Sequence, residues 1–143
     1  MAVTIQATQP DPTLDIDVVD RATGKPARLT VLGGVVAVGP EGRGVMVRVS
    51  GGETVGEHVG LYLPGAEPIP GDEEVTTWGE AMLSQAVVSG ATSQYVNYGV
   101  GEVAVQLVAD PNQGGARLPY LSFQCFGGFP LGVRYRVTIL RPS

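Results

Sequence analysis

The sequence has few of the residues that most enzyme and metal sites need. Its 143 residues include one cysteine and one histidine, and only 16% of them are charged. A single cysteine excludes an internal disulfide, and one histidine with one cysteine is too few ligands for a structural zinc site. The sequence therefore predicts a fold held together by its apolar core, with no cofactor and no bound metal.

Long hydrophobic runs and an excess of positive charge are also missing. No apolar run approaches the roughly 20 residues of a membrane-spanning helix, and residues 1–12 lack the basic and apolar regions of a signal peptide. The net charge of −5 argues against a nucleic-acid binder, which needs Lys and Arg against phosphates. We therefore expect no nucleic-acid partner, no membrane partner and no classical secretion.

What the sequence does contain is glycine and proline, 21 and 11 residues, between short stretches that alternate apolar and polar side chains. This period of two is typical of antiparallel strands with one buried face. The glycine-bearing segments between them are typical of turns. The pattern predicts an all-β single domain, an antiparallel β-sandwich or a small β-barrel. The predicted strands cover residues 3–8, 14–20, 27–32, 34–39, 44–50, 59–63, 101–110, 118–126 and 132–141.

Two segments depart from this pattern. In "EVTTWGEAMLSQAVVSG", residues 74–90, Trp78, Met82, Leu83 and Ala86 have helical spacing, which predicts one short helix at about 77–87. The segment "LPGAEPIPGDEE", residues 63–74, is acidic and stiffened by proline. We expect it to stand out from the body as an exposed loop.

The only cysteine, Cys125, could act as a nucleophile if His58 and Glu57 lay beside it. However, Leu121, Phe123 and Cys125 share the apolar face of a predicted strand. A cysteine among aromatic residues is usually a small buried hydrophobic residue. We therefore predict a core cysteine and a protein that is not an enzyme.

Tyr95 and Tyr98, in "YVNYG", could stack on a sugar ring, or they could be an ordinary pair of strand or turn aromatics. The sequence leaves both interpretations open.

The first residues are predicted to form an extended N-terminal arm, residues 1–13, before a single β domain, residues 14–143. Val3, Ile5 and Ala7 alternate with polar residues as in a strand, and Pro10 and Pro12 then end any ladder. Such a segment can add to the edge of another chain. The alternative is that residues 3–7 are an integral strand of the protein's own sheet.

Arg134 and Arg136 lie on the more polar face of the last predicted strand. Guanidinium groups on such a face can bind carboxylates. We predict that they meet an acidic partner, or the acidic loop of a neighbouring subunit.

This layout of a small acidic β domain, an extended N-terminal arm and Gly- and Pro-rich loops resembles the small decoration (cement) proteins of tailed bacteriophage capsids. The resemblance covers the general layout of the chain and no particular motif. It implies a structural virion protein, made in the host cytoplasm, that binds the major capsid protein as a homo-oligomer, often a trimer. Such a protein stabilises the contacts between capsid subunits.

The alternative is an Ig-like or jelly-roll module of a phage tail or cell surface that binds sugar or protein. The strand–turn–strand pattern of "VVDRATGKPARLTV", residues 18–31, favours this alternative.

Overall fold

Strands make up nearly all the regular structure of the computed structural model, which describes residues 3–40, 49–50, 53–54, 56–86, 99–126 and 131–142. One 3-10 helix spans Pro111–Gln113. The strands are β1 Val3–Pro10, β2 Leu14–Val19, β3 Pro26–Pro40, β4 Val49–Ser50, β5 Glu53–Thr54, β6 Gly56–Tyr62, β7 Thr76–Ala86, β8 Gly99–Ala109, β9 Arg117–Phe126 and β10 Leu131–Pro142.

The strands form two main antiparallel sheets, which confirms the all-β prediction. The larger sheet has five strands in the order β1-β3-β10-β7, with β2 also paired to β3. β2 pairs with the first half of β3 and β1 with its second half. The smaller sheet has the order β6-β9-β8, and β4 pairs with β5. Over the described ranges the strands do not close into a barrel.

The two main sheets share one apolar core. Alternate residues of β10 are buried, as the sequence pattern predicted, while Arg134 and Arg136 between them are exposed. The same alternation buries Leu121, Phe123 and Cys125 of β9. Because both sheets direct one face into this cluster, burial of apolar area is the main force that holds them together. The other buried core residues are Leu32, Val36, Val38, Val59, Leu63, Ile69, Leu131, Val133, Tyr135, Val137 and Ile139.

The short helix predicted at about 77–87 is wrong, because Thr76–Ala86 is strand β7. This strand pairs with β10 from Leu140 to Leu131. Ala81 and Leu83 are half-buried, whereas Trp78 and Met82 are exposed on the other face. The period is therefore two, and pairing with a long neighbouring strand overrides the helical spacing of the apolar residues.

The extended arm expected over residues 1–13 is, from Val3 to Pro10, an edge strand of the molecule's own sheet. Its backbone pairs with β3 in antiparallel register from Val3↔Pro40 to Pro10↔Gly34. This is the alternative that the sequence left open. β2 and the rest of the chain follow after the short link of residues 11–13.

The acidic segment 63–74 packs on the body instead of standing out from it. Ile69 and Leu63 are buried, and Ile69 forms a two-way backbone bridge with Arg117. Arg141 binds both carboxylate oxygens of Glu73, at 2.9 and 3.1 Å, and this hydrogen-bonded contact lowers the pKa of Glu73. The acidic segment therefore finds its arginine partners within its own chain.

Among the residues placed by the structure, no helix is both long and apolar enough to cross a membrane.

Candidate interaction surface

The outward side of the five-stranded sheet carries several exposed apolar side chains. Four of them are large and well exposed: Leu14 at 51%, Ile16 at 41%, Trp78 at 50% and Met82 at 54%. The strand registers place them on one side, because each row of directly paired residues shares a face. One row is Leu14, Val31, Thr138 and Trp78, and the next is Ile16, Leu29, Leu140 and Thr76. We call this side the outer face.

The sequences of β2 and β3 show that apolar residues are placed outward systematically. Leu14 and Ile16 alternate with aspartates, the pattern of a strand with one buried face, yet these two side chains point to the outside. In β3, "VLGGVVAV", residues 31–38, has no polar residue on either face. Strands that read this way are typically covered on both faces. Contiguous exposed apolar surface of this kind is typical of a protein-binding site.

A hollow of about 420 Å³ lies in the outer face. Gly33 of β3 contributes no side chain there, between Leu14 and Val31 on one side and Arg136 on the other. Asp11 borders the hollow, and its backbone N–H donates to the Gly33 carbonyl at 2.9 Å. The surface is therefore indented at its centre and raised where Trp78 stands.

Arg134 and Arg136 lie on the outer face, and each has a carboxylate partner in its own chain. Arg134 donates to Asp11 at 3.0 Å, and Arg136 donates to both carboxylate oxygens of Glu80, at 2.9 and 3.1 Å. All four side chains are about half exposed, so each pair is worth about 1 kcal/mol or less to folding. Two guanidinium groups and two carboxylates leave this part of the outer face without net charge.

The structure thus brings the residues predicted to bind a partner onto one sheet. The backbones of Val3, Ile5 and Ala7 lie in β1 at its edge, and Ala7 shares a row with Ala37 and Gly132. Gly132 precedes Arg134 by two positions on β10. The apolar side chains of the outer face were missed by the sequence analysis. The uninterrupted apolar run of β3 was the available signal for them.

Cys125 lies in the core, as the sequence predicted. It is fully buried, and burial raises the pKa of its thiol to about 12. The register pairs it with Glu57 and pairs His58 with Gln124, so positions 58 and 125 belong to opposite faces of the sheet. This arrangement gives no activated thiolate at neutral pH.

We expect a thiol reagent to label Cys125 slowly in the native protein and quickly after denaturation. Cys125→Ser should lower the free energy of unfolding by roughly 1–3 kcal/mol, because it buries a hydroxyl in an apolar site. Timed labelling followed by mass spectrometry, beside urea unfolding of both proteins, measures these effects. Rapid labelling of the native protein at neutral pH would contradict the core assignment.

An aromatic pair lies on the smaller sheet. Tyr62, 55% exposed, meets Tyr120 edge to face with ring centres 4.9 Å apart. A hollow of about 290 Å³, lined by Tyr62, Asp110 and Leu118 among others, lies beside the pair. The other aromatic pair considered for sugar binding, Tyr95 and Tyr98, falls outside the described residues.

Asp15 in β2 and Asp20 just after it are hydrogen-bonded within the chain. Asp15 accepts hydrogen bonds from Thr30 and Arg28, at 2.6 and 3.3 Å, and these two contacts lower its pKa. Asp20 accepts from the backbone N–H of Ala22 in a turn. Within the described ranges, no group of three or more His, Cys, Asp or Glu side chains is arranged to hold a metal ion.

The fold and this surface define a small all-β protein with an exposed apolar face on its larger sheet. Comparison with protein-family models, with curated proteins and with solved structures gives no match.

Proposed function

We propose that the protein is a structural virion protein, a decoration protein that binds the surface of a bacteriophage capsid and stabilises the contacts between capsid subunits. The observation that supports this proposal best is the outer face, where Leu14, Ile16, Trp78 and Met82 are exposed together. A protein that works by cementing others needs such a surface and needs no catalytic group. The resemblance in chain layout to phage decoration proteins supplies the particular partner, the major capsid protein.

Two parts of the five-stranded sheet are available for protein contacts in this role. One is the outer face. The other is β1, which over the described residues pairs with β3 on one side and with no strand on the other. An unpaired strand edge offers backbone groups that can pair with another chain. In this proposal Val3, Ile5 and Ala7 lie at the attachment edge, and Arg134 and Arg136 lie on the face beside it.

The test is co-expression with the capsid gene from the same genome, followed by sedimentation of the assembled particles. We expect the protein to sediment with the particles and to raise the temperature at which they come apart. Trp78→Glu should reduce the bound amount by about tenfold or more, equivalent to about 1.4 kcal/mol of binding free energy. The matched control is Tyr62→Glu, a similarly exposed aromatic on the other sheet, which should bind like the wild type.

Two results would overturn the proposal. One is failure of the wild-type protein to bind particles that it is produced with. The other is a gene neighbourhood that contains no virion genes.

The second candidate function is an Ig-like or jelly-roll module that binds sugar, and the exposed Tyr62 beside a hollow favours it. Tyrosine rings bind the apolar faces of sugars. A glycan array distinguishes the two functions, because a sugar-binding module gives a signal that Tyr62→Ala removes and Trp78→Glu leaves intact.

A further inference from the structure

We propose that the outer face is the contact between two copies of this chain, packed face to face around a two-fold axis that runs parallel to the strands between β3 and β10. The inference rests on the proposed function in one respect, since both take the outer face to bind protein. It goes further by naming the occupant of the outer face as a second copy. The capsid is then bound through the β1 edges of the dimer, and Trp78→Glu weakens attachment because a monomer offers one such edge instead of two.

The size of the outer face fits a stable dimer. It is four strands wide at about 4.8 Å per strand and as long as β10, so it measures roughly 19 by 40 Å. This is an area of about 760 Å², close to the roughly 800 Å² that each partner buries in a stable interface. Two sheets packed in this way lie about 10 Å apart with interdigitating side chains.

The order of the strands makes the outer face self-complementary. Across the face the order is β2, β3, β10 and β7. A two-fold axis between β3 and β10 places β7 of one copy over β2 of the other and keeps each row over the same row. Trp78 of one copy then lies over Leu14 of the other, and Val31 lies over Thr138. A two-fold interface requires such a reciprocal match of one patch with itself.

The relief of the face follows the same symmetry. Arg136 and Gly33 are paired neighbours on β10 and β3, so the axis places Arg136 of each copy over Gly33 of the other. The hollow of about 420 Å³ at Gly33 has room for a guanidinium group, and Asp11 and Glu80 in its lining offset the positive charge of Arg134 and Arg136 there. The indentation of each copy thus receives a side chain of the other.

The charge of the face favours a second copy over an acidic or basic partner. The chain carries a net charge of −5, so most contacts between copies would bring negative surfaces together. The outer face is an exception, because Asp11 and Glu80 are each bonded to an arginine of the same chain. Two such faces can approach without net repulsion and can bury their apolar side chains. A face that pairs with itself across a two-fold axis closes as a dimer, whereas the resemblance to decoration proteins implies a trimer.

Analytical ultracentrifugation over a wide range of concentration tests the proposal. We expect the wild-type protein to be a dimer. Trp78→Glu should raise the dissociation constant by about thirtyfold or more, the effect of losing a large aromatic side chain that both copies bury in the contact. Tyr62→Glu, the matched control, should remain dimeric. Thermal melts of both variants verify that they fold, since both side chains are about half exposed.

Chemical cross-linking tests the symmetry directly. Two packed sheets lie about 10 Å apart, so facing side chains are beyond the reach of a disulfide but within that of a short bifunctional thiol reagent. A mixture of Leu14→Cys and Trp78→Cys proteins should therefore give a dimer cross-linked by such a reagent. Each variant alone should not, because its two identical cysteines are also displaced by three strands, about 14 Å, across the face. The native Cys125 is buried and does not interfere.

The outcomes separate this inference from the proposed function. A monomer at all concentrations, a trimer, a dimer that Trp78→Glu leaves intact, or a mixture that fails to cross-link overturns the two-fold contact. A monomer that still sediments with capsids overturns the dimer and keeps the decoration role. A dimer that cross-links as described but ignores capsids keeps the contact and overturns the decoration role.

Discussion

Deleting residues 1–9 is expected to unfold the protein or to lower its melting temperature by about 15 °C or more. The deletion removes nearly all of β1, which makes seven register pairs with β3. Each backbone hydrogen bond contributes about 1 kcal/mol net, so the loss is on the order of 5 kcal/mol out of a total stability of about 5–15 kcal/mol. Circular dichroism melts of the full-length and shortened proteins measure the effect.

Deletion of residues 1–2 alone is the control, because it leaves all seven register pairs in place. That variant should melt like the full-length protein. If the longer deletion also melts like the full-length protein, β1 contributes little to the sheet. Its residues would then act as the free arm that the sequence predicted.

Gly34→Ala is expected to destabilise the protein by about 3 kcal/mol, because it overfills a closely packed site. A Cβ atom at Gly34 would lie 2.7 Å from the Gln9 carbonyl oxygen, 2.8 Å from the Tyr135 hydroxyl and 2.9 Å from Cα of Pro10. Two of these atoms belong to the backbone of β1, so relief requires that strand to move. Urea unfolding of the wild-type and variant proteins gives the difference in free energy.

The adjacent Gly33→Ala is the matched control. There the nearest atoms are the Tyr135 carbonyl oxygen at 3.2 Å and an Asp11 carboxylate oxygen at 3.4 Å, so a few tenths of an ångström of movement are enough. We expect a cost of about 1 kcal/mol or less. Equal costs for the two variants would show that the contact of β1 with Gly34 is not the cause.

The sequence was most informative where alternation was unambiguous. In β10, Val133, Val137 and Ile139 alternate with Arg134 and Arg136, and the structure buries the first set and exposes the second. Charged residues rarely enter a core without a partner, so such a pattern has one stable orientation. The same argument predicted the burial of Cys125 from its neighbours in β9.

Other features depended on the neighbours of each segment in space, which a single sequence does not reveal. Gly33 was interpreted as a break between two strands, 27–32 and 34–39, but β3 runs through it because β10 pairs along its length. The helical spacing around Trp78 gave way to pairing with the same strand. Segment 63–74 read as a projecting loop because nothing local indicates that Arg117 and Arg141 hold it.

The orientation of β2 shows a different limit. Its alternation was read correctly, yet the apolar side belongs to the outer face and the aspartates face Thr30 and Arg28. Alternation indicates which residues share a face of the strand, but not which face meets the core. Which face meets the core depends on how the whole sheet packs, and in β2 this packing leaves Leu14 and Ile16 at the surface.

The central position of β10 has a consequence for how the chain is made. It lies between β3 and β7, yet the ribosome produces it after the other nine strands that the structure describes. The nascent chain therefore carries β3, with its uninterrupted apolar run, unpaired on one side until synthesis reaches the last strand. Contacts across such long stretches of sequence form slowly, and exposed strand edges aggregate in the meantime. Recovery of soluble protein should consequently improve when translation is slowed by cooling or when chaperones shield the nascent strands.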